Sequence, residues 1–264
     1  MSIPATFIEW LGFIIEKSGM SMLRGAWNTL AIAFVGTVIG CIIGFIIGII
    51  QTIPIEKGDH PGKKTLLYSV RIILGVYIEV FRGTPMMAQA FFMYFGAMLL
   101  FGINMSMWVA AFFVVSINTG AYMSETVRGG ILSIDPGQTE GAKAIGMTHY
   151  QTMTSVILPQ ALRNVMPQIG NNLIINIKDT CVLSAIGVVE LMFASRGAAG
   201  ANYRYFETFT ITMAMYLIMT LTLSRILRAM EKKMDGQRSY DLATQDTLAH
   251  TSGMHTYIGG EKKR

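Results

Sequence analysis

Charge is what this sequence has least of. Asp, Glu, Lys and Arg make up only 14% of its 264 residues, against roughly 25% in soluble domains. With 52% hydrophobic residues and a mean hydropathy of +0.47, the deficit excludes a soluble globular domain and indicates an all-α integral membrane protein. Cysteine is scarce as well. Cys41 and Cys181 lie far apart in or beside apolar segments, which gives neither a disulfide framework nor metal-ligand spacing. Catalytic signatures are missing: there is no His-Glu-x-x-His and no Gly-x-Ser-x-Gly, and His60, His149, His250 and His255 fall in expected loops, helix starts or the tail. The chain is therefore not expected to be an enzyme. Gly62-Lys63-Lys64-Thr65 resembles a phosphate loop but fails, because Lys57 stands at the earlier glycine position, Lys64 follows the lysine, and no strand precedes it. A net charge of +5 would suit nucleic acid in a soluble protein; here the basic residues flank apolar runs, the ordinary topological use of Lys and Arg.

What the sequence does have is long uncharged runs. The N-terminus lacks a basic leader and carries Glu9 inside its apolar run, so it does not read as a cleaved signal peptide. Phe7, Trp10, Leu11, Ile14 and Ile15 fit an amphipathic helix on the membrane surface over 1–24. Gly25 to Ile55 has no charge and forms span one. Its Gly36, Gly40, Gly44 and Gly48 make a flat stripe for close helix packing. Gln51 to Lys64 reads as a loop, and Leu66 to Arg82 as a helix on the cytosolic face or only partly inserted. Gly83 to Ser124 is uncharged and broken at Gly102-Ile103-Asn104, which gives spans two and three, with Thr84-Pro85 as the cap and first turn of span two. Span four is expected over Met166 to about Val189 and span five over Thr208 to Ser224. Sixteen Lys and Arg then fall on one side of the membrane and four on the other, which places the N-terminus outside and the C-terminus in the cytosol. The membrane domain is thus 25–233, and 234–264 reads as a disordered cytosolic tail.

The longest mid-chain stretch unfit for lipid is Ser124 to Asn171. Asp135-Pro136-Gly137-Gln138 reads as a capping box with proline at the first helical position, and Thr148 with Gln151 as a second box. Gly146 between them is placed to end a helix of about three turns, and the second helix is expected to run to Pro159. The first helix carries Ala142, Ala144, Ile145 and Met147 and is too short to stand alone in water, so it requires a partner.

Polar residues recur at helical spacing within the spans. Asn172, Asn176, Asp179 and Thr180 share one face of span four, and Asn118, Tyr122 and Glu125 one face of span three. They form either a solute pathway or interhelical hydrogen bonds that hold the two spans together; an ionisable Asp179 in a bilayer favours the pathway.

Glu140-Gly141-Ala142, then Gly146, then Ile157-Leu158-Pro159 resemble the cytosolic loop of binding-protein-dependent ABC importer permeases, with Gly141 where alanine is usual. Phe81-Arg82-Gly83-Thr84-Pro85, Ala121-Tyr122-Met123-Ser124-Glu125 with Arg128 and Gly130, and Lys178-Asp179-Thr180 extend the resemblance to the polar amino acid branch of histidine, glutamine and arginine type. The resemblance covers about 28–233. It implies a five-span permease core in a bacterial inner (plasma) membrane, with a coupling loop at about 125–163 between spans three and four. Glu140, Gly141, Ala142 and Gly146 would dock on a separate ATPase that binds ATP and Mg; no cofactor or metal belongs to this chain. A second permease subunit and an extracytoplasmic binding protein complete the implied importer. Asn118, Tyr122, Asn172, Asn176, Asp179 and Thr180 would line the solute path. A single carboxylate on that path favours glutamine or glutamate over arginine or lysine. The rival readings are a secondary amino acid transporter, which should show an inverted repeat, and a membrane scaffold that transports nothing.

Overall fold

In the first helix, α1 (Phe7–Thr52), the uncharged run is started by a complete capping box: the Thr6 hydroxyl accepts from the Glu9 N–H, and the Glu9 carboxylate returns to the Thr6 N–H. At 1.5 Å per residue its 46 residues span about 69 Å. The helix has no break at residue 24, so the surface segment expected over 1–24 and span one share one rod. The computed structural model describes residues 5–55, 58 and 60–235, with side chains to residue 233. Apart from the end of the last helix, the tail expected at 234–264 lies outside the described residues.

The glycine stripe does what its spacing implies. A Cβ added at Gly36, Gly40, Gly44 or Gly48 would fall 2.4 to 2.7 Å from Val115, Thr119, Met123 or Val127 of α4 (Met107–Leu132). Contact that close needs residues without a side chain. The central core forms on the same helix: Val114 and Val115 meet Ile32, Leu183 and Val188, and further along Met123 and Val127 meet Ile157 and Val165.

Several boundaries differ from expectation for identifiable reasons. Helix α2 (Pro61–Gly83) begins inside the expected loop, because the His60 ring nitrogen Nδ1 accepts from the Gly62 N–H at 3.2 Å and Pro61 suits a first turn. Thr84 does not cap span two. Its hydroxyl donates back to the Val80 carbonyl at 2.7 Å, and Pro85, held extended, stands at the cap position without a side-chain bond. The chain turns there by 113° into α3 (Met86–Phe101). Gly102, at φ 66°, closes α3, and Ser106 caps α4, which continues past Ser124 to Leu132.

On the Ser124–Asn171 stretch, Asp135 caps α5 (Pro136–Ala144) by accepting from the Gly137 N–H at 2.7 Å. Its expected reciprocal partner Gln138 instead accepts from Gln160, so that box is half made. Gly146 ends the helix region at φ 82°, and the Thr148–Gln151 box is complete. Pro159 ends nothing. From α6 (His149–Thr152) the chain passes through one π turn, Met153–Ile157, directly into α7 (Leu158–Asp179). Pro159 directly follows the π turn, so its missing N–H falls where the winding changes from i→i−5 to i→i−4 bonding. A tight 3-10 stretch, Thr180–Ile186, follows Asp179 and stops at Gly187, φ 91°.

One helix was not anticipated. Helix α8 (Leu191–Asn202) is started by buried Glu190, whose carboxylate accepts from the Met192 and Phe193 N–H groups at 2.9 and 2.8 Å and from the Tyr216 hydroxyl at 3.0 Å. Tyr216 lies on α9 (Tyr205–Asp235), and Thr29 of α1 donates to the same carboxylate, so one acid ties three helices. Among the described residues, α1, α4 and α9 are long and apolar enough to cross a membrane, and the bent α2–α3 pair brings the count to four at most. The expected span four falls on α7 and its 3-10 extension, whose amides, Lys178 and Asp179 keep it out of that set.

Candidate functional site

Helices α4 and α7 bring their polar faces together at the α2–α3 bend. Asn118 and Tyr122 from α4, Asn172, Asn176 and Asp179 from α7, and Thr84, Pro85 and Met86 from the bend line one cleft of about 460 Å³. That lies within the range usual for small-ligand sites, about 300–1,000 Å³. Five of the six residues expected on a solute path therefore meet. Thr180 does not: it is buried, and its hydroxyl donates to the Ile177 carbonyl at 2.9 Å. Its N–H still bonds the Asn176 carbonyl, so Thr180 keeps its helical position and burial alone removes it from the cleft.

The asparagines serve both roles that the sequence left open, since each lines the cleft and also bonds between helices. Asn176 donates to Thr37 of α1 at 2.7 Å and to Thr119 of α4 at 2.9 Å. Asn172 donates to the Gln168 carbonyl at 3.1 Å and lies 3.3 Å from the Met123 sulfur. Asn118 donates to the Phe81 carbonyl at 3.2 Å and to Gln89 Oε1 at 3.0 Å. Asp179 is exposed to the cleft.

Two contributors escaped the sequence reading. Gln89 is buried, and its Nε2 lies 2.9 Å from the carbonyls of Phe81 and Thr84, so it pins the bend. Its signal was present: it is the one glutamine in the uncharged run from Gly83 to Ser124. Arg82 forms an ion pair with Glu125, and its guanidinium stands 5.5 Å from the Tyr122 ring centroid. Glu125 is thus held at the bend and does not line the cleft, a pairing across 43 positions (125 minus 82) that no local periodicity reveals.

The docking candidates lie apart from the cleft. Ala142 is buried, which anchors α5 against the protein, while Glu140, Gly141 and Gly146 are exposed. A Cβ at Gly141 would meet nothing within 4 Å, so the more usual alanine would fit there equally well. Glu140 borders a hollow of about 440 Å³ with Pro136, Thr139, Lys143, His149 and Met153. Beside it Ile145 is 79% and Tyr150 75% exposed, large side chains that nothing among the described residues covers.

Comparison with known proteins shows the family and the fold. Residues 68–236 match the family described as binding-protein-dependent transport system inner membrane component. The glutamine transport system permease protein of Escherichia coli K12 is 42% identical over 160 residues, 60% of this chain and 73% of that protein. The arginine transport system permease protein of Bacillus subtilis is 38% identical over 162 residues, 61% of this chain and 74% of its own length. A crystal structure of an amino acid ABC transporter with histidines superposes with a TM-score of 0.74 at 32% identity, covering 88% of this chain and all of that one. An inward-facing methionine ABC transporter shares the fold at a TM-score of 0.61 and 21% identity, over 80% of this chain and 96% of its own. With more than half its length matched by the family and its polar helix faces closed around one cleft, the chain belongs to the inner membrane components of binding-protein-dependent transport systems.

Proposed function

We propose that this chain is the membrane-embedded permease subunit of an ABC importer for a polar amino acid, and that the cleft between α4 and α7 is where the solute is handled. The cleft is the observation that carries the reading. Its volume suits one amino acid, its wall holds one carboxylate and four carboxamides, and it lies between helices that pack through glycine in a membrane protein. The names of the glutamine and arginine permeases among the relatives support the amino acid class.

In this reading α5, with Glu140, Gly141, Ala142 and the Gly146 break, faces the cytosol and docks on a separate ATPase that holds ATP and Mg. The uncovered Ile145 at the end of α5 and Tyr150 on α6 support it, because exposed apolar side chains beside a short helix gain stability from a partner. A second permease copy or relative, and an extracytoplasmic binding protein that delivers the solute, complete the assembly in a bacterial inner membrane. The N-terminus is outside, the C-terminus is cytosolic, and α7 with its 3-10 extension acts as the fifth crossing. ATP and loaded binding protein drive transport by binding one arrangement of the helices more tightly than the other. Uptake of labelled amino acids into vesicles holding the permease, its ATPase and its binding protein tests this. ATP-dependent uptake is expected; uptake without ATP identifies a secondary transporter, and no uptake of any amino acid leaves a scaffold.

A further inference from the structure

The three asparagines of the cleft are not free to present either end of their amides. A carboxamide carries a donor nitrogen and an acceptor oxygen, and the hydrogen-bond network decides which way each one turns. Gln89 Nε2 faces the carbonyls of Phe81 and Thr84, which only accept, so its Oε1 points the other way. Asn118 must therefore donate to it, and donates to the Phe81 carbonyl as well. Asn172 is fixed by the Gln168 carbonyl. Asn176 donates to Thr37, whose own proton is already given to the Ala33 carbonyl at 2.6 Å.

Every amide nitrogen of the three asparagines is thus committed, while no oxygen of Asn118, Asn172 or Asn176 has a hydrogen-bond donor among the described residues. Asn172 and Asn176 are 7% and 4% exposed, yet their oxygens are not among the enclosed unpartnered atoms, so each oxygen reaches open space. The Thr84 and Thr126 hydroxyls of the lining have also given their protons to carbonyls, at 2.7 and 3.1 Å. With the Asp179 carboxylate, the asparagine face of the α4–α7 wall presents acceptors, and Tyr122 and Gln168 are the side chains of the lining left with protons to give. We infer that this wall receives the cationic, hydrogen-bond-donating part of the solute and rejects a side chain that is itself an anionic acceptor, and that Gln89, outside the cleft, is the positioning residue that locks Asn118 into this array.

The inference rests on the transport reading above, and it reverses the preference for glutamate that a single carboxylate suggested. An unpaired acceptor wall facing a carboxylate would leave both sides unsatisfied, which discriminates more strongly than a lost apolar contact. The amino acid's own carboxylate is left to the donors that remain: the Tyr122 hydroxyl, the Gln168 amide and the first turn of α3 at Met86, which no side chain caps.

The test is equilibrium binding of labelled arginine, glutamine and glutamate to the assembled permease–ATPase complex without binding protein, for the wild type, Gln89→Met and Asn118→Leu. Arginine and glutamine should bind the wild type and glutamate should not compete. Gln89→Met removes one of the two acceptors that orient the Asn118 amide and leaves only the Phe81 carbonyl, so the preference for arginine over glutamate should fall by up to roughly tenfold, the scale of one hydrogen bond. Asn118→Leu should weaken arginine by a similar factor with no gain for glutamate. Tight glutamate binding to the wild type, or an unchanged preference for arginine over glutamate in Gln89→Met, overturns the assignment. If the complete system imports one of these amino acids but the complex alone binds none, the wall is not a recognition site and the transport reading survives. If the complete system imports none, the transport reading falls with it.

Discussion

Replacing Gly44 by alanine adds a single methyl group, yet that methyl is expected to disrupt the seam between α1 and α4. Its carbon would lie 2.4 Å from Met123 Cβ, 2.8 Å from the Met123 carbonyl carbon and 2.9 Å from the Ser124 nitrogen. Two of these atoms are backbone, so no rotamer change relieves the clash and the helices must part. Overpacking of this kind costs about 1–3 kcal/mol, partly offset by the roughly 0.5–1 kcal/mol that alanine gains over glycine within a helix. Gly96 of α3 is the control, because a Cβ there meets nothing within 4 Å and only the helix gain remains. Thermal unfolding of the purified protein in detergent should therefore move in opposite directions for the two variants, about 2–3 kcal/mol apart near the upper end of these ranges. Equal midpoints, or a more stable Gly44→Ala, would refute close packing as the purpose of the stripe.

Asp179→Asn should weaken solute binding while leaving solute-independent ATP hydrolysis by the complex unchanged; a loss of hydrolysis instead would place Asp179 in structure or coupling. Glu140→Ala and Gly146→Val should do the reverse in vesicles, lowering uptake per ATP hydrolysed. The valine also forces a β-branched residue into φ 82°, a strain of about 1–3 kcal/mol, which a lowered melting temperature should reveal. Glu190→Ala removes the cap of α8 and its bonds to Tyr216 and Thr29. A stability loss of about 3 kcal/mol or more is expected in a denaturation series, and a loss under 1 kcal/mol would show that the acid is not what holds these helices together.

The parts of the molecule governed by nearest neighbours were legible in advance. The Thr148–Gln151 box, the Gly102 and Gly146 breaks and the glycine stripe all depend on residues at fixed short offsets, and each formed as its spacing requires. The lining of the cleft was legible because Asn118 with Tyr122, and Asn172 with Asn176 and Asp179, keep helical spacing. What was illegible depends on distant partners. Thr84 has a proper cap sequence but sits in a bend held by Gln89 and Asn118. Pro159 looks like a terminator, yet the surrounding helices hold the chain through it. Glu190 reads as a stray charge until Thr29 and Tyr216, from opposite ends of the sequence, are placed beside it.

The π turn at Met153–Ile157 sets the phase of everything after it. One residue of an α-helix advances the azimuth by about 100°, so a single inserted residue decides which side of α7 points at α4. Removing one residue from this turn would restore ordinary winding and swing Asn172, Asn176 and Asp179 about a quarter-turn away from Asn118. The cleft and the loop that carries α5 are therefore geared to each other: the same short segment that joins them also clocks the polar face into register.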